Sequence, residues 1–508
     1  MQIVWFKRDL RIEDHEPLHR AALCGRVIPL YIVEPGLWQQ PDTSGRHWAF
    51  VRECLISLRE GLSRLGQPLA VRHGDAVEVL RALCTQHKVT GVWSHQETGN
   101  AWTYRRDRAV AEMLRQGGIP WHQPRQHGVV RGPVDRDGWS RQWEALMRVP
   151  QFEPPALAPV GDLDPGIVPD LPTEALADDL CPGRQGGGRQ LAEQALHSFL
   201  EQRGDRYHLQ MSSPRTAHSS CSRLSAHLAW GTLSMREVLQ ATRLRRAQIK
   251  QSPKSQRGTW GRALAAFEGR LHWHCHFMQK LETEPGFEFD NMQSATAGLR
   301  DLHCDPVRLR AWQTGNTGWP LVDACMRALQ HSGWINFRMR AMLMSVASYQ
   351  LWLHWRGPAL HLARQFVDYE PGIHYPQAQM QSGTTGINTL RIYNPVKQSL
   401  DQDPDGIFIR TWVPELGRVD RRWIHTPWHM PASVQRDCGV VIGRDYPAPL
   451  VDHEAAARLA RQKIQQVRRT AEARAESRSI QAQHGSRKRN QQRRRRANPQ
   501  GSLFPDGT

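Results

Sequence analysis

The sequence predicts an α/β domain built on a doubly wound parallel sheet, followed by an all-α domain. Over the first 130 residues short apolar runs alternate with helical patterns, whereas between about residues 191 and 450 apolar residues recur at i, i+3 and i+4. Apolar strands separated by helices are typical of a parallel sheet covered on both faces. At 508 residues the chain is also too long for one ordinary core, which favours two domains.

Residues 1–130 form the predicted α/β domain. We expect strands at 3–6, 27–33, 69–74, 89–95 and 119–122, and helices at 15–24, 47–65, 75–86 and 101–116. No G-x-G-x-x-G follows a strand, so the usual dinucleotide-binding fingerprint is absent from the sequence. Residues 131–190 are rich in Pro, Gly and Asp, which predicts a connector with little secondary structure of its own.

A helical domain is predicted for residues 191–450, and a basic tail for 451–508. Residues 453–508 hold fourteen Lys/Arg and four Asp/Glu, within a formal charge of +18 for the whole chain. The tail begins as an Ala/Arg/Gln helix, and we expect its last thirty residues to be disordered because they cannot bury a core. A basic body with a more basic tail favours nucleic acid as the partner, and RKRNQQRRRR can bind it by counterion release. The alternative is a solvated tail without a partner.

The cysteines and apolar runs indicate the compartment. Nine cysteines contain no C-x-x-C, which favours a reduced, cytoplasmic protein without structural disulfides. The start MQIVWFKRDLR is not a secretory signal, and the weakly charged run 341–355 is too short for a membrane span. Of His272, His274 and His276, only the first and last share a helical face, so no metal site is predicted.

Several segments together resemble the photolyase/cryptochrome family. They are VWFKRDLRIEDHEPL, SFLEQRGDRYHLQ, SCSRLSAHLAWGTLS, GWINFRMRAM, FVDYEPG, RIYNPVKQ and DGIFIRTWVPEL, and they occur in the family's order. The resemblance covers residues 1–450. It implies an N-terminal antenna domain and a helical domain that binds FAD.

The resemblance also implies which residues bind FAD. Those matching the segment that holds the phosphates are Tyr207, Cys221, Ser222, Arg223, Leu224 and Ser225; those matching the segments around the flavin ring are Arg338, Arg340, Asp368, Tyr369, Glu370 and His374. Independently of any family, a Ser before an apolar helix predicts an N-cap, and a helix start favours anions. Cys221 stands where the family usually has Thr. Arg340 and Asp368 match a buried pair, for which a salt bridge between helices without cofactor is the alternative.

His374 matches the position that faces N5 of the flavin, where photolyases usually have Asn. A histidine titrates near neutrality and can donate a proton, which Asn does not do in this pH range. We therefore expect the stable redox state and its pH dependence to differ from those of the common repair enzymes. A shift of the alignment by one residue would place Tyr375 there instead.

The family's electron path uses three Trp residues from the flavin to the surface. Trp312 matches the outer Trp and Trp355 the middle one, whereas the position nearest the flavin is Ala378. The usual path is therefore interrupted. Trp352 and Tyr375 are the alternative aromatic donors, with core packing as their competing role.

The expected substrate side comprises Arg270, Trp273, Phe337 and Arg338. Trp273 matches the family's stacking Trp, but Arg270 stands where the family has an acid and Phe337 where it has Asn. These residues form an aromatic, basic pocket suited to a flipped base or another ligand. A second, antenna chromophore of unknown identity is also implied, although Thr103 replaces the Glu of the folate-binding branch.

Two functions follow from the resemblance. The first is a DNA photolyase, a carbon–carbon lyase that repairs pyrimidine dimers by light-driven electron transfer from reduced FAD to a flipped-out lesion. The alternative is a cryptochrome-like photoreceptor with a protein signalling partner. A third and weaker hypothesis is a light-independent nucleic-acid binder that keeps the fold as a scaffold.

Overall fold

The structure is a computed structural model that describes residues 1–132, 136–176, 179 and 181–484. Five parallel strands form one sheet in the order β3-β2-β1-β4-β5, with β1 between β2 and β4. The strands are β1 (Gln2–Phe6), β2 (Val27–Val33), β3 (Ala70–His73), β4 (Gly91–Trp93) and β5 (Trp121–His122). This order confirms the predicted doubly wound sheet, and each predicted strand is present.

Five helices lie in this domain; four of them were predicted from the sequence, and the short α2 was not. They are α1 (Glu16–Leu23), α2 (Pro35–Trp38), α3 (Gly45–Leu65), α4 (Ala76–Gln86) and α5 (Ala101–Gln116). Side-chain caps define three of the starts: His15 accepts a hydrogen bond from Leu18 in α1, Asp75 accepts hydrogen bonds from the first turn of α4, and Asn100 accepts one from Thr103. Helix α3 ends at Gly66, whose φ of +113° favours glycine.

The connector contains a helix that the sequence prediction missed. Helix α6 (Arg136–Arg148) buries Trp139, Trp143 and Met147, which lie on one face at i, i+4 and i+8. These side chains join the core formed with Phe267 and Leu271 of the helical domain. The expectation of little secondary structure is therefore wrong for this stretch, although residues 150–173 do lack helix and strand.

The second domain is helical, which confirms the predicted class. Its helices are α7 (Arg189–Ser198), α8 (Tyr207–Gln210), α9 (Pro214–Ser220), α10 (Ser225–Ala229), α11 (Met235–Gln251), α12 (Trp260–Thr283), α13 (Pro306–Gln313), α14 (Pro320–Ser332), α15 (Phe337–Ser345), α16 (Arg356–Gln365), α17 (Pro371–Ser382), α18 (Pro395–Gln402), α19 (Ile407–Trp412) and α20 (Ala432–Cys438). Helix α12 packs along α17, and α15 packs against α17. Of the predicted site residues, these three helices carry Arg270, Trp273, Phe337, Arg338, Arg340 and His374.

The two domains share a polar, buried interface. Arg8, after β1, donates to the carbonyl of Ala229 at 3.0 Å and lies over the ring of Trp230 at 4.2 Å. Asp14 accepts hydrogen bonds from Arg236 and Ser234 at the start of α11. Because buried charges are costly without partners, these matched contacts fix how the domains meet.

The last two described helices, α21 (His453–Arg468) and α22 (Ala471–His484), form a hairpin. We call residues 453–484 the C-terminal hairpin. The predicted helical start of the tail is confirmed, but the expected disorder is wrong for residues 479–484, which are helical. The rest of that expectation concerns residues 485–508, which lie outside the described residues.

Candidate functional site

A cluster of arginines lies where the sequence predicts the phosphates to bind. Four guanidinium groups act on the thiol of Cys221, namely those of Arg203, Arg223, Arg270 and Arg340; we call them the arginine cradle. Arg203 holds the segment itself, because it donates to the carbonyls of Cys221 and Ser222. Burial raises the pKa of the Cys221 thiol to about 11 in spite of these cations. The thiol is therefore neutral at physiological pH and does not offset the positive charge of the cradle.

Arg223 is the most constrained member of the cradle. Its φ of +61° is unusual for a residue with a side chain, and its guanidinium lies 4.0 Å from the centre of the Trp334 ring. Burial lowers its pKa to about 10 although Asp368 opposes the shift, and its Nη1 has no hydrogen-bond partner among the described residues. A buried, cationic donor without a partner is what an anionic group would satisfy.

The predicted N-cap at this segment is wrong. The residue before α10 is Leu224, which provides no side-chain cap, and the hydroxyl of Ser222 only accepts a long 3.4 Å bond from the Leu224 amide. The hydroxyl of Ser225 instead bonds to Asp368. The cationic character of the site therefore comes from arginine side chains and not from a capped helix start.

Arg340 and Asp368 form the pair that the sequence predicts. Two parallel hydrogen bonds, of 3.0 Å and 2.8 Å, join the guanidinium to the carboxylate. Burial opposes ionisation of Asp368, but Arg340, Ser225 and Arg223 together hold its pKa below the usual value. The side chain of Asp368 is 3% exposed and that of Arg340 is 23% exposed, so the guanidinium is the more accessible half of the pair.

The predicted substrate residues come together at the surface. The guanidinium of Arg270 lies 4.8 Å from the ring centre of Trp273 and 5.8 Å from that of Phe337. It also bonds to the hydroxyl of Tyr207, which links the group to the phosphate-binding segment. Trp273 is 51% exposed and Phe337 is 46% exposed, which is unusual for such large rings. We call Arg270, Trp273 and Phe337 the aromatic mouth; Arg338 follows Phe337 on α15.

Tyr369 and Glu370 direct their side chains to the domain interface. The Tyr369 hydroxyl donates to Asp42 at 2.5 Å, and Glu370 pairs with Arg8 at 3.6 Å. Burial raises the pKa of Glu370 to about 7 although Arg8 opposes the shift. Because both side chains are engaged at the domain interface, only the backbone of these two residues remains for a contact with a flavin. The residue types in the sequence do not reveal such a contact. Their predicted role in cofactor binding stays a prediction.

His374 differs from the expected near-neutral proton donor. Burial lowers its pKa to about 4, although its hydrogen bond to the Ala359 carbonyl opposes the shift. Since that carbonyl can only accept, Nε2 must donate at 2.8 Å, and Nδ1 of the neutral ring remains an acceptor. The lowered pKa opposes the expectation that this side chain titrates near neutrality, whereas its expected place beside the flavin stays a prediction.

The predicted outer Trp is not at the surface. Trp312 is 0% exposed, and its indole donates to the carbonyl of Leu343 at 3.1 Å. Its role as the surface end of an electron path is therefore wrong, because the outer member must meet solvent. Trp355 is also buried and donates to Asn291 at 2.6 Å, as a middle member can. Ala378 is buried on α17 and offers no ring.

Several residues of the site were missed from the sequence. Asn336, at the start of α15, donates to the carbonyls of Met211 and Ser212, while its own Oδ1 has no hydrogen-bond partner among the described residues. Arg203, a member of the cradle, and Trp334, whose ring lies under Arg223, were missed as well. The tryptophan and the asparagine of GWIN were visible in the sequence, but their contacts were not.

The three neighbouring histidines of α12 point to different faces. His272 and His276 pack on Trp139, whereas His274 lies 5.7 Å from His127. A separate buried group, Asp9, His15 and His95, places three possible metal-ligating atoms within 4.8 Å of one another. Both imidazoles bond to the Asp9 carboxylate, at 2.9 Å and 2.7 Å, which satisfies that carboxylate without an ion.

A cavity of about 40 Å³ lies between the two domains. Its lining includes Arg106, which pairs with Glu34 at 2.5 Å and with Glu97 at 2.6 Å. The volume is enough for about one water molecule. The cavity as it stands does not fit a pigment, so no antenna chromophore is assigned to it.

Within the described residues, every helix is too short or too polar to cross a lipid bilayer.

Comparison with known proteins agrees with this geometry. A family model described as the FAD binding domain of DNA photolyase matches residues 267–466, and one described as DNA photolyase matches residues 2–135. A deoxyribodipyrimidine photo-lyase of Streptomyces griseus is 30% identical over 478 residues, which cover 90% of this chain and 98% of that protein. The chain belongs to the DNA photolyase/cryptochrome family. A cryptochrome DASH of Gloeobacter violaceus is also 30% identical, over 89% of this chain and 93% of its own length.

A solved structure of the family shows the same two-domain fold. The class III photolyase from Agrobacterium tumefaciens has a TM-score of 0.79 and 25% identity, covering 92% of this chain and 98% of that one. The cofactor of the family domain is FAD. The residues present fit it, because the buried and unsatisfied Nη1 of Arg223 and the surplus charge of the cradle suit a diphosphate.

Proposed function

We propose that this family member is a DNA photolyase that repairs pyrimidine dimers in a light-dependent reaction. The observation that carries the proposal is the aromatic mouth, in which two half-exposed rings flank the guanidinium of Arg270, itself a member of the arginine cradle. FAD, when bound, supplies the light absorption and the electron transfer. The protein residues bind and orient the two reactants.

The mouth has the chemistry to hold a base taken out of the helix. Trp273 and Phe337 offer ring faces, and stacking of a base on an aromatic side chain contributes about 1–3 kcal/mol. Arg270 donates only, so it selects acceptors such as base carbonyl oxygens or a phosphate. Taking a pyrimidine dimer out of the duplex costs less free energy than extruding an intact base pair's nucleotide, which favours binding at damaged sites.

The residues behind the mouth set the environment of the cofactor. The cradle binds anionic groups, and the Arg340–Asp368 pair places a fixed dipole beside Arg223, whose charge also acts on Asp368. The neutral His374 adds an acceptor at Nδ1 and no charge near pH 7. None of these roles requires an indole at position 378, because an already reduced cofactor needs no further electron for each repair cycle.

The test is a repair assay with fully reduced protein and an oligonucleotide that contains a cyclobutane dimer. Blue light should restore the intact pyrimidines, whereas the same mixture in the dark should not. The matched variant Trp273→Ala should lose most of this activity and keep its flavin. Absence of light-driven repair by the fully reduced wild type would refute the proposal.

A cryptochrome-like photoreceptor is the second candidate. Four positions favour it: Arg270 replaces the family's acid, Phe337 replaces its Asn, His374 replaces the Asn that photolyases usually have, and Ala378 replaces the Trp nearest the flavin. In that case light should change the binding of a protein partner, and the mouth should bind no dimer. The repair assay separates the two functions.

A further inference from the structure

A stack of aromatic rings crosses the interface between the two domains. It begins at Tyr369, continues through His47 and Trp230, and ends in Trp38 and Trp48; we call these five residues the interface stack and the last two the indole pair. The ring centres are 5.7 Å apart between Tyr369 and His47, and 6.0 Å apart between His47 and Trp230. Those of Trp230 and Trp38 are 6.3 Å apart, and those of the indole pair are 5.1 Å apart. Each ring is therefore in contact range of the next.

One end of the interface stack lies beside the predicted cofactor site. The guanidinium of Arg340, which pairs with Asp368, lies 4.1 Å from the ring centre of Phe366. The ring of His374 is 6.0 Å from that of Phe366 and 5.3 Å from that of Tyr369. An unbroken row of packed side chains therefore connects the Arg340–Asp368 pair with the start of the stack.

The phenol of Tyr369 has a base at hydrogen-bond distance. Its hydroxyl donates to the Asp42 carboxylate at 2.5 Å, and the hydroxyl of Tyr375 donates to the same oxygen at 3.0 Å. The other donor to this carboxylate among the described residues is the uncharged amide of Asn100. A phenol that loses an electron becomes a strong acid, so a carboxylate that is already hydrogen-bonded to it can take up the proton without any movement of the chain.

Charges along the stack favour an oxidised ring at its far end. The guanidinium of Arg8 lies 4.2 Å from the ring centre of Trp230, and a cation there opposes the loss of an electron. Glu370 pairs with Arg8 at 3.6 Å, but burial raises the pKa of Glu370 to about 7, so its charge offsets that of Arg8 only in part. Among the described residues, no cation lies over either ring of the indole pair. The pair is therefore easier to oxidise than Trp230.

The far end of the stack lies just below the surface. The indole N–H of Trp48 donates to the carbonyl of Asp170 at 2.9 Å, and the side chain of Asp170 is 91% exposed. Between the two ends, burial lowers the pKa of His47 to about 4, so this ring is uncharged near pH 7. No positive charge of His47 therefore opposes the passage of an oxidised state along the stack.

We propose that the interface stack is an electron-transfer path that reduces the flavin, in place of the family's path that Ala378 interrupts. One electron passes from Tyr369 to the light-excited, oxidised flavin, while the phenolic proton passes to Asp42. Tyr369 then regains an electron from Trp230 and its proton from Asp42. Trp230 takes an electron from the indole pair, so that the flavin has gained one electron and the pair has lost one. A thiol in solution then reduces the indole pair from the surface end.

Flash photolysis of the oxidised holoprotein, without DNA, tests the path. A blue flash should produce a long-lived protein radical, detected by transient absorption and electron paramagnetic resonance. In the wild type the resonance spectrum should change when ring-deuterated tryptophan is incorporated, because the radical resides on the indole pair. Tyr369→Phe and Trp230→Phe should each abolish this radical. Trp355→Phe, which removes the buried indole that matches the family's path, should leave it.

Asp42→Asn tests the proton acceptor separately from the rings. The neutral amide is the weaker acceptor, so radical formation should be slowed about tenfold, which corresponds to ~1.4 kcal/mol of lost hydrogen-bond strength. In the wild type radical formation should also be slower in D2O than in H2O, because a proton moves with the electron. A carboxylate that only holds the domains together would give no such isotope effect, and this result would overturn the role of Asp42.

Two control variants match the substituted residues in chemistry but lie outside the stack. Tyr446→Phe removes a buried phenol that donates to Asp323 at 2.6 Å. Trp319→Phe removes a buried indole whose N–H, like that of Trp38, has no hydrogen-bond partner among the described residues. Both controls should leave the radical unchanged. Flavin content checks that each variant is folded.

The outcomes are independent of the proposed repair function, because the measurement uses oxidised protein and no DNA. Loss of the radical in the two stack variants alone would support the path, even if the reduced protein repairs no dimer. A wild type without a radical, a radical that survives in both stack variants, or one that Trp355→Phe or either control abolishes would overturn it, even if repair is observed. If a stack variant retains no flavin, the labelled wild type decides, since a spectrum unaffected by deuterated tryptophan would also overturn the path.

Discussion

Removing either partner of the Arg340–Asp368 pair should destabilise the protein to different extents. Arg340→Ala leaves the Asp368 carboxylate buried at 3% exposure, with Ser225 and Arg223 as its remaining partners. Breaking a buried ion pair costs about 3–5 kcal/mol, and the remaining partners reduce this to about 2–3 kcal/mol here. Asp368→Asn leaves a guanidinium that is 23% exposed and still donates to the Ile335 carbonyl, so it should cost about 1–2 kcal/mol.

The difference in unfolding free energy between the wild type and Arg340→Ala should decrease as the pH falls. In the wild type the pKa of Asp368 lies below its unfolded value, so the pair stabilises the fold above pH ~4 and loses this effect as pH falls through the folded pKa. In Arg340→Ala burial should raise that pKa, because the main cation is gone. Protonation then relieves the buried charge, and the gap between wild type and variant should narrow from pH 7.5 to pH 5.

The assay is urea unfolding followed by tryptophan fluorescence and by flavin absorbance, at both pH values. Arg421→Ala is the control, because its pair with Asp405 is exposed and should contribute less than about 1 kcal/mol. The reasoning would be refuted if Arg340→Ala cost no more than Asp368→Asn, or if the gap did not change with pH.

Three further predictions concern single side chains. Trp273→Ala should weaken binding of a dimer-containing oligonucleotide by about 1–3 kcal/mol in an anisotropy titration, whereas Leu244→Ala, an exposed apolar control, should not. His374→Asn should leave the pH dependence of the flavin potential unchanged between pH 6 and 8, because the histidine pKa is about 4; a step near pH 6.5 in the wild type alone would contradict this. Burial lowers the pKa of His274 to about 4. The neutral imidazole therefore stabilises the fold above the pKa of the unfolded state, and this contribution is lost as the pH falls towards 4. Between pH 7 and pH 5 the unfolding free energy of His274→Phe should therefore fall by about 2 kcal/mol less than that of the wild type.

The sequence predicted the sheet and most helices because period and propensity are local properties. Strand β2 matches its predicted bounds at both ends, and helix α5 does so too. Helix α6 was missed because Pro, Gly and Asp dominate its neighbours, which hid the apolar spacing of Trp139, Trp143 and Met147. Composition averaged over sixty residues conceals a single helix of thirteen.

The site was predictable where it depends on residue type, and not where it depends on the direction in which a side chain points. The charges of Arg340 and Asp368 required a partner, and the structure supplies it. The orientation of Tyr369 towards Asp42 depends on the other domain, which no local pattern encodes. The burial of Trp312 likewise follows from packing between helices distant in sequence.

Flavin binding by the apoprotein tests the arginine cradle most directly. Titration with FAD should end at one FAD per chain and give a yellow protein. Riboflavin carries the same ring without phosphates, so it should bind roughly a hundredfold more weakly, which corresponds to the ~3 kcal/mol of two charge-assisted hydrogen bonds. A protein that stays colourless with FAD, or that binds both compounds equally, would contradict a cofactor site built on the charges of the cradle.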